Sequence, residues 1–242
     1  MQKKKTQRSI VTLTVAGLLL VCVCVRPSAF ATTFVALTTD QEGILAFDSK
    51  RMSTLQGHPL AHSPTCKIVA GKRSLYGIAG LSGAGDLNAY QIIAPLATGK
   101  PEALGSIRDA LVTLLQQAVS HMSAEELQPY TTAGVPLTIV IALSFAPTPA
   151  LAELAFYVNA DRTIRPHLIR HPNPALLFSA VAMKPLVPPH WSALTDKVAL
   201  VHSLMSAGIA ADADSARPIS LITVNAYGLR WIETGACTDR RR

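Results

Sequence analysis

The sequence predicts an α+β domain, on three observations. Strand patterns cluster in residues 33–79, amphipathic helix patterns follow, and strand patterns return on either side of a last helix. Strands and helices in separate runs argue for packed α and β layers rather than an alternating, doubly wound sheet. The 242 residues are 49% hydrophobic and 15% charged, which is enough apolar content for one sizeable core. Neither a repeat nor a linker divides the chain.

Residues 33–37 and 44–47 read as strands joined by the polar turn Asp40-Gln41-Glu42-Gly43. Residues 49–66 carry Gly57, Pro59, Pro64 and two histidines and read as a loop. A second hairpin spans residues 67–70 and 74–79 around Gly71-Lys72-Arg73. The glycine-rich stretch Gly80-Leu81-Ser82-Gly83-Ala84-Gly85 turns the chain into a helix over residues 86–96. The clearest helix covers residues 101–122. There Leu104, Ile107, Leu111, Leu114, Leu115, Ala118, Val119 and Met122 recur at three- and four-residue spacing and make one buried stripe.

Residues 137–143 and 154–158 are apolar strand patterns, and Asn159-Ala160-Asp161-Arg162 turns into a returning strand over 164–169. Pro185, Pro188 and Pro189 exclude a continuous helix over residues 184–190. A helix over 191–209 presents Leu194, Val198, Val201, Leu204 and Met205, and strands at 218–224 and 229–232 close the domain.

The first 31 residues differ from the rest. Lys3, Lys4, Lys5 and Arg8 precede an apolar run at residues 10–25, and Ala29-Phe30-Ala31 fits the small-x-small rule for secretory cleavage. The run is shorter than the roughly 20 residues that span a bilayer. The expectation is a cleaved signal peptide over 1–31 and one domain over 32–242, secreted or periplasmic, with no membrane attachment after cleavage. The formal charge of +7 is largely a property of that leader. Five of the 22 basic residues and none of the 15 acidic ones precede Thr32, so the remainder carries 17 against 15, or +2. A balance of that kind does not argue for a nucleic-acid partner. Cys66 and Cys237 stay in the mature part. They pair if an oxidising compartment brings them together, or remain two separate thiols, and the sequence leaves both open.

A cut after Ala31 makes Thr32 an N-terminal residue, which unites a hydroxyl nucleophile and an amine base in one place. Around it stand motifs in a definite order. Thr32-Thr33-Phe34-Val35-Ala36-Leu37 opens the mature chain, and Ile44-Leu45-Ala46-Phe47-Asp48-Ser49-Lys50 ends the second strand. Lys67-Ile68 opens the third strand and Gly77-Ile78-Ala79-Gly80 leads into the glycine-rich turn. Asp212-Ala213-Asp214-Ser215 lies between the last helix and the next strand. Together they resemble the N-terminal-nucleophile (Ntn) hydrolases, and most closely the proteasome β-subunits, over most of residues 32–235.

The resemblance implies a four-layer α-β-β-α sandwich and a threonine peptidase or amidohydrolase working through an acyl-enzyme. It implies a peptide or other amide substrate, no cofactor, and a homo-oligomer as a possible assembly. In the implied roles Thr32 attacks the carbonyl, Lys67 favours the neutral form of the Thr32 amine, and Asp48 pairs with Lys67. The N–H of Gly80 receives the oxyanion, and Asp212 and Ser215 hold the terminal amine. A catalytically inactive binding or assembly subunit of the same fold is the alternative. Phe178-Ser179-Ala180-Val181-Ala182-Met183 lacks the Ser-x-Gly-Ser-Gly setting in which the family carries a further serine. The pairs His58/His62 and His167/His171 have neither the helix nor the third ligand a zinc site requires, so no metal is expected.

Overall fold

A computed structural model of the chain describes residues 23–25, 32–55, 58–84, 87–97, 103–212 and 215–237. For residues 23–25, 50–55, 58–64, 83–84, 87 and 181 only the backbone is described. The basic start, the Ala29-Phe30-Ala31 motif, Asp86, Pro101 and Asp214 of the sequence reading lie outside these residues.

The strands are β1 (Val23–Val25), β2 (Phe34–Thr38), β3 (Glu42–Asp48), β4 (Lys50–Leu55), β5 (His58–Pro64), β6 (Ile68–Ala70), β7 (Ser74–Gly80), β8 (Gly83–Ala84) and β9 (Leu87–Asn88). After the helices α1 (Ala89–Leu96), α2 (Ala103–His121) and α3 (Ala124–Thr132) come β10 (Thr138–Phe145), β11 (Pro149–Val158), β12 (Ile164–His171) and β13 (Ala175–Phe178). Two 3-10 turns, Val181–Leu186 and Trp191–Ala193, lead to α4 (Lys197–Ala211), β14 (Ile219–Asn225) and β15 (Gly228–Glu233). No helix among the described residues is long and apolar enough to cross a membrane.

The fold is α+β with two main sheets. One has the order β1-β13-β2-β3-β14-β15, antiparallel except for the β1–β13 pair, and the other has the order β12-β11-β10-β7-β6, antiparallel throughout. Three groups of buried side chains bind these elements. Period-2 alternation sends alternate residues of one strand to opposite faces. Val140, Ala142, Leu154 and Phe156 therefore pack against Ile93 of α1 and Ile107, Leu111, Leu114, Leu115 and Val119 of α2. Ile139, Ile141, Leu143, Leu151 and Ala155 meet Phe34, Ala36, Leu45 and Phe47 between the two sheets. Val35, Leu37, Ile44 and Ala46, on the remaining face, meet Val201, Leu204 and Met205 of α4. A side chain of Leu or Phe size contributes about 1.5–3 kcal/mol when fully buried, so the three groups are the main favourable term of the fold.

The close approach of the sheets depends on Gly77. A Cβ there would overlap the ring of Phe47, which stacks on Phe34 with ring centroids 5.4 Å apart.

Several elements differ from the sequence reading. Residues 49–66, expected as a loop, contain the β4–β5 hairpin, because pairing of neighbouring segments satisfies backbone groups that Pro59 and Pro64 do not block. The helix expected over 191–209 begins at Lys197. Asp196 caps it by accepting the N–H of Ala199, and a separate 3-10 turn precedes it. α3 and β13 were not expected from the sequence. Val23–Val25, within the expected leader, forms the edge strand beside β13.

Candidate active site

Thr32 and Thr33 lead into β2, and Asp48 ends β3. The antiparallel pairing of β2 with β3, Phe34 opposite Phe47, brings Asp48 back beside Thr33. The two residues bond twice. The N–H of Thr33 donates to Asp48 Oδ1 at 3.0 Å, and the N–H of Asp48 donates to the carbonyl of Thr33 at 3.0 Å.

Lys67 comes from the other sheet, immediately before β6. Its Nζ donates to Asp48 Oδ1 at 2.8 Å and to Thr32 Oγ1 at 3.0 Å. Thr32, Asp48 and Lys67 are 5%, 1% and 4% exposed, so these contacts lie in a medium where an ammonium without a partner is costly. Asp48 Oδ1 supplies that partner. Because the same oxygen holds the backbone of Thr33, one carboxylate sets both the position of Lys67 and the entry of β2.

Gly80 ends β7 with φ 86°, a left-handed conformation that favours glycine. The N–H of Ile78 donates to the carbonyl of Lys67 at 3.1 Å, and that of Leu81 to the carbonyl of Leu137 at 2.9 Å. Strand alternation carries the N–H of Gly80 to the same edge of β7 as that of Ile78, the edge on the β6 side. Asp212 caps the C-terminus of α4. Its Oδ2 accepts from Ser215 Oγ at 2.8 Å, and Ser215 Oγ accepts from Thr33 Oγ1 at 2.7 Å.

Five of the six residues named from the sequence, Thr32, Asp48, Lys67, Asp212 and Ser215, are thus joined by hydrogen bonds through the Thr32-Thr33 dipeptide, and Gly80 ends β7, the strand that pairs with β6. Ser215 Oγ accepts the Thr33 hydroxyl, one residue from the Thr32 amine at which the sequence reading aims Asp212 and Ser215. Thr33 is the joint between Asp48 and Ser215, a role for which the sequence carries no local signal. Ser179, buried at the end of β13, accepts the N–H of Phe34 at 3.0 Å and returns its own N–H to the Phe34 carbonyl at 3.2 Å. It therefore holds β2 two residues beyond Thr32.

No family model matches this chain, and no curated protein does. Cys66 and Cys237 form a disulfide with Cα atoms 4.6 Å apart. It resolves the alternative that the sequence left open. His167 and His171 lie on β12, and among the described residues no group of three or more His, Cys, Asp or Glu side chains could hold a metal ion. What the arrangement offers is a buried hydroxyl in contact with an ammonium, a carboxylate that stabilises that ammonium, and a glycine N–H on the adjoining strand end.

Proposed function

We propose that the chain is an exported N-terminal-threonine hydrolase of the Ntn type, similar to proteasome β-subunits, with their four-layer α-β-β-α sandwich. It cleaves peptide or other amide bonds. The observation that carries this reading is the 3.0 Å contact from Lys67 Nζ to Thr32 Oγ1, with Asp48 Oδ1 2.8 Å behind the same ammonium. Thr32 directly follows the expected cleavage site, so removal of the leader uncovers the amine needed as base. The disulfide supports an oxidising, extracytoplasmic location.

In this mechanism the Thr32 hydroxyl proton passes to the neutral α-amine as Oγ1 bonds to the substrate carbonyl carbon. The Lys67 ammonium favours the neutral amine by charge repulsion, and a free α-amine has an ordinary pKa near 7.7–8.0. The N–H of Gly80 donates to the oxyanion, a contact worth about 2.7–4 kcal/mol of barrier in such sites. The ammonium of Thr32 then protonates the leaving nitrogen, the C–N bond breaks, and an ester on Oγ1 remains. Water, deprotonated by the same amine, hydrolyses the ester and restores Thr32.

N-terminal sequencing of the secreted protein, followed by labelling with an electrophilic peptide vinyl sulfone, tests the reading. The expected terminus is Thr32, the expected adduct is on Thr32, and Thr32→Ala abolishes both labelling and amide hydrolysis. A terminus at Met1 or beyond Thr33, or hydrolysis retained by Thr32→Ala, overturns it. Phe178-Ser179-Ala180-Val181-Ala182-Met183, which lacks the Ser-x-Gly-Ser-Gly setting, favours the second reading, a non-catalytic binding or assembly subunit of the same fold. That subunit would show the Thr32 terminus without the adduct.

A further inference from the structure

Four of the six site residues, together with Thr33, are divided between two sheets. Thr32, Thr33 and Asp48 belong to the β2–β3 part of the six-stranded sheet, whereas Lys67 and Gly80 belong to the β6–β7 part of the five-stranded one. Apolar packing between two stacked sheets carries no directional bond that fixes individual side chains to within an ångström. A displacement of about 1 Å at reacting groups is enough to lower a rate by about a hundredfold. The contact between Lys67 and Thr32 crosses this gap.

The Cys66–Cys237 disulfide crosses it too, one residue away. Cys66 precedes Lys67, and Cys237 follows β15 on the six-stranded sheet. Both cysteines lie in the core between the sheets, 6% and 1% exposed. On the six-stranded side the N–H of Cys237 donates to the carbonyl of Thr234 at 2.7 Å, and Ser220 Oγ donates to that same carbonyl at 3.1 Å. Ser220 lies on β14, where its neighbour Ile219 pairs with Asp48 in register. The contacts therefore close a ring. From Asp48 it passes through β14 to Thr234 and Cys237, across the disulfide to Cys66, and through Lys67 back to Asp48.

We infer that Cys66 and Cys237 are positioning residues whose disulfide holds Lys67 against Thr32 and Asp48 across the two sheets, so that the site is assembled only in the oxidised protein. This rests on the proposed hydrolase reading for its effect on activity, while the positioning of Lys67 is measurable without it. A dithiol reductant delivers two electrons and two protons to the disulfide, leaving two cysteine thiols and a cyclic oxidised reagent. The covalent member of the ring is then gone, and Lys67 is left to hydrogen bonds, among them those to Asp48, Thr32 and Ile78.

The test uses the secreted full-length product in three forms: oxidised, reduced by dithiothreitol, and carrying Cys66→Ser with Cys237→Ser. Each is treated with formaldehyde and borane, and methylation of individual lysines is read by peptide mass spectrometry while near-UV circular dichroism reports the fold. In the oxidised form Lys67 is expected to react at least about tenfold more slowly than exposed Lys72 and Lys184. In the reduced or double-serine form it should gain about tenfold while Lys72, Lys184 and the dichroism stay as they were. Vinyl sulfone labelling of Thr32 should slow by about tenfold, and its pH profile should move upward as the ammonium leaves the amine.

Lys67 remaining protected in folded, reduced protein overturns the inference. So does exposure of Lys67 in the same step as loss of the near-UV signal, since the disulfide then holds the fold as a whole. Oxidised protein that never labels at Thr32, yet exposes Lys67 on reduction with the fold intact, refutes the hydrolase reading and upholds the clamp.

Discussion

Thr33 and Asp48 hold each other by two backbone-directed bonds of 3.0 Å, and the Asp48 oxygen that takes part is also the one 2.8 Å from Lys67 Nζ. Asp48 therefore carries strand pairing and charge compensation together. Replacing it with alanine leaves the buried Lys67 ammonium without its carboxylate. Breaking a buried pair from one side typically costs about 3–5 kcal/mol. Asp48→Ala is expected to lower stability by that amount in urea unfolding, and a midpoint equal to wild type would show that the pair does not hold this region.

Lys67→Met removes the ammonium while keeping much of the side-chain volume. If Lys67 tunes the Thr32 amine, vinyl sulfone labelling of Thr32 should fall by about 10²–10⁴, the range of a positioned proton-transfer partner. The activity that remains should rise at higher pH than in wild type, because the amine loses its cationic neighbour. Labelling at the wild-type rate would remove Lys67 from the mechanism.

Gly208 connects α4 to the site. A Cβ there would lie 2.7 Å from Thr33 Cγ2 and would overlap Met183 Cε. The methionine end can swing away, but Thr33 is bonded on three sides, to Asp48 through both its backbone groups and to Ser215 through its hydroxyl. Gly208→Ala should therefore destabilise by about 1–3 kcal/mol, as overpacking of a core does. It should also slow Thr32 labelling in protein that is still folded. An unchanged labelling rate with lowered stability would confine the effect to the packing of α4.

Helix α3 gives a pH-dependent test away from the site. The N–H of Ser123 donates to Glu126 Oε2 at 2.7 Å, and the N–H of Glu126 donates to Ser123 Oγ at 3.2 Å. The Ser123 backbone bond, aided by its side chain, lowers the Glu126 pKa from its ordinary value of 4.5. A folded-state pKa below the unfolded one gives stability that is complete above the unfolded value and is lost as pH falls through the folded value. Glu126→Gln should therefore be less stable than wild type at about pH 7, and the difference should shrink by about pH 3. Urea midpoints at the two pH values measure it. A difference that persists unchanged at the lower pH would assign the effect to packing.

Some of the fold was legible because its signals are local. The stripe of Ile107, Leu111, Leu114, Leu115, Ala118 and Val119 follows the 3.6-residue period and is buried as expected. The turn at Asp40-Gln41-Glu42-Gly43 returns β3 along β2. α3 also had a local signal, Ser123-Ala124-Glu125-Glu126, which has the spacing of a capping box. Against that signal, Pro129 and a short polar stretch weaken the helix period. The β4–β5 hairpin is the reverse case, since the prolines and glycine of residues 49–66 read as punctuation although its strands pair.

The site divides along the same line. Order along the chain is enough to read which residue types stand at Thr32, Asp48, Lys67, Gly80, Asp212 and Ser215, and that Thr32 follows the small-x-small stretch Ala29-Phe30-Ala31. Tertiary structure decided that Ser215 reaches Thr33, that Ser179 holds Phe34, and that Cys66 meets Cys237 across a separation of 171 residues. Distances of that kind depend on how two sheets stack on a shared apolar core, and no periodicity within either strand records the spacing between sheets.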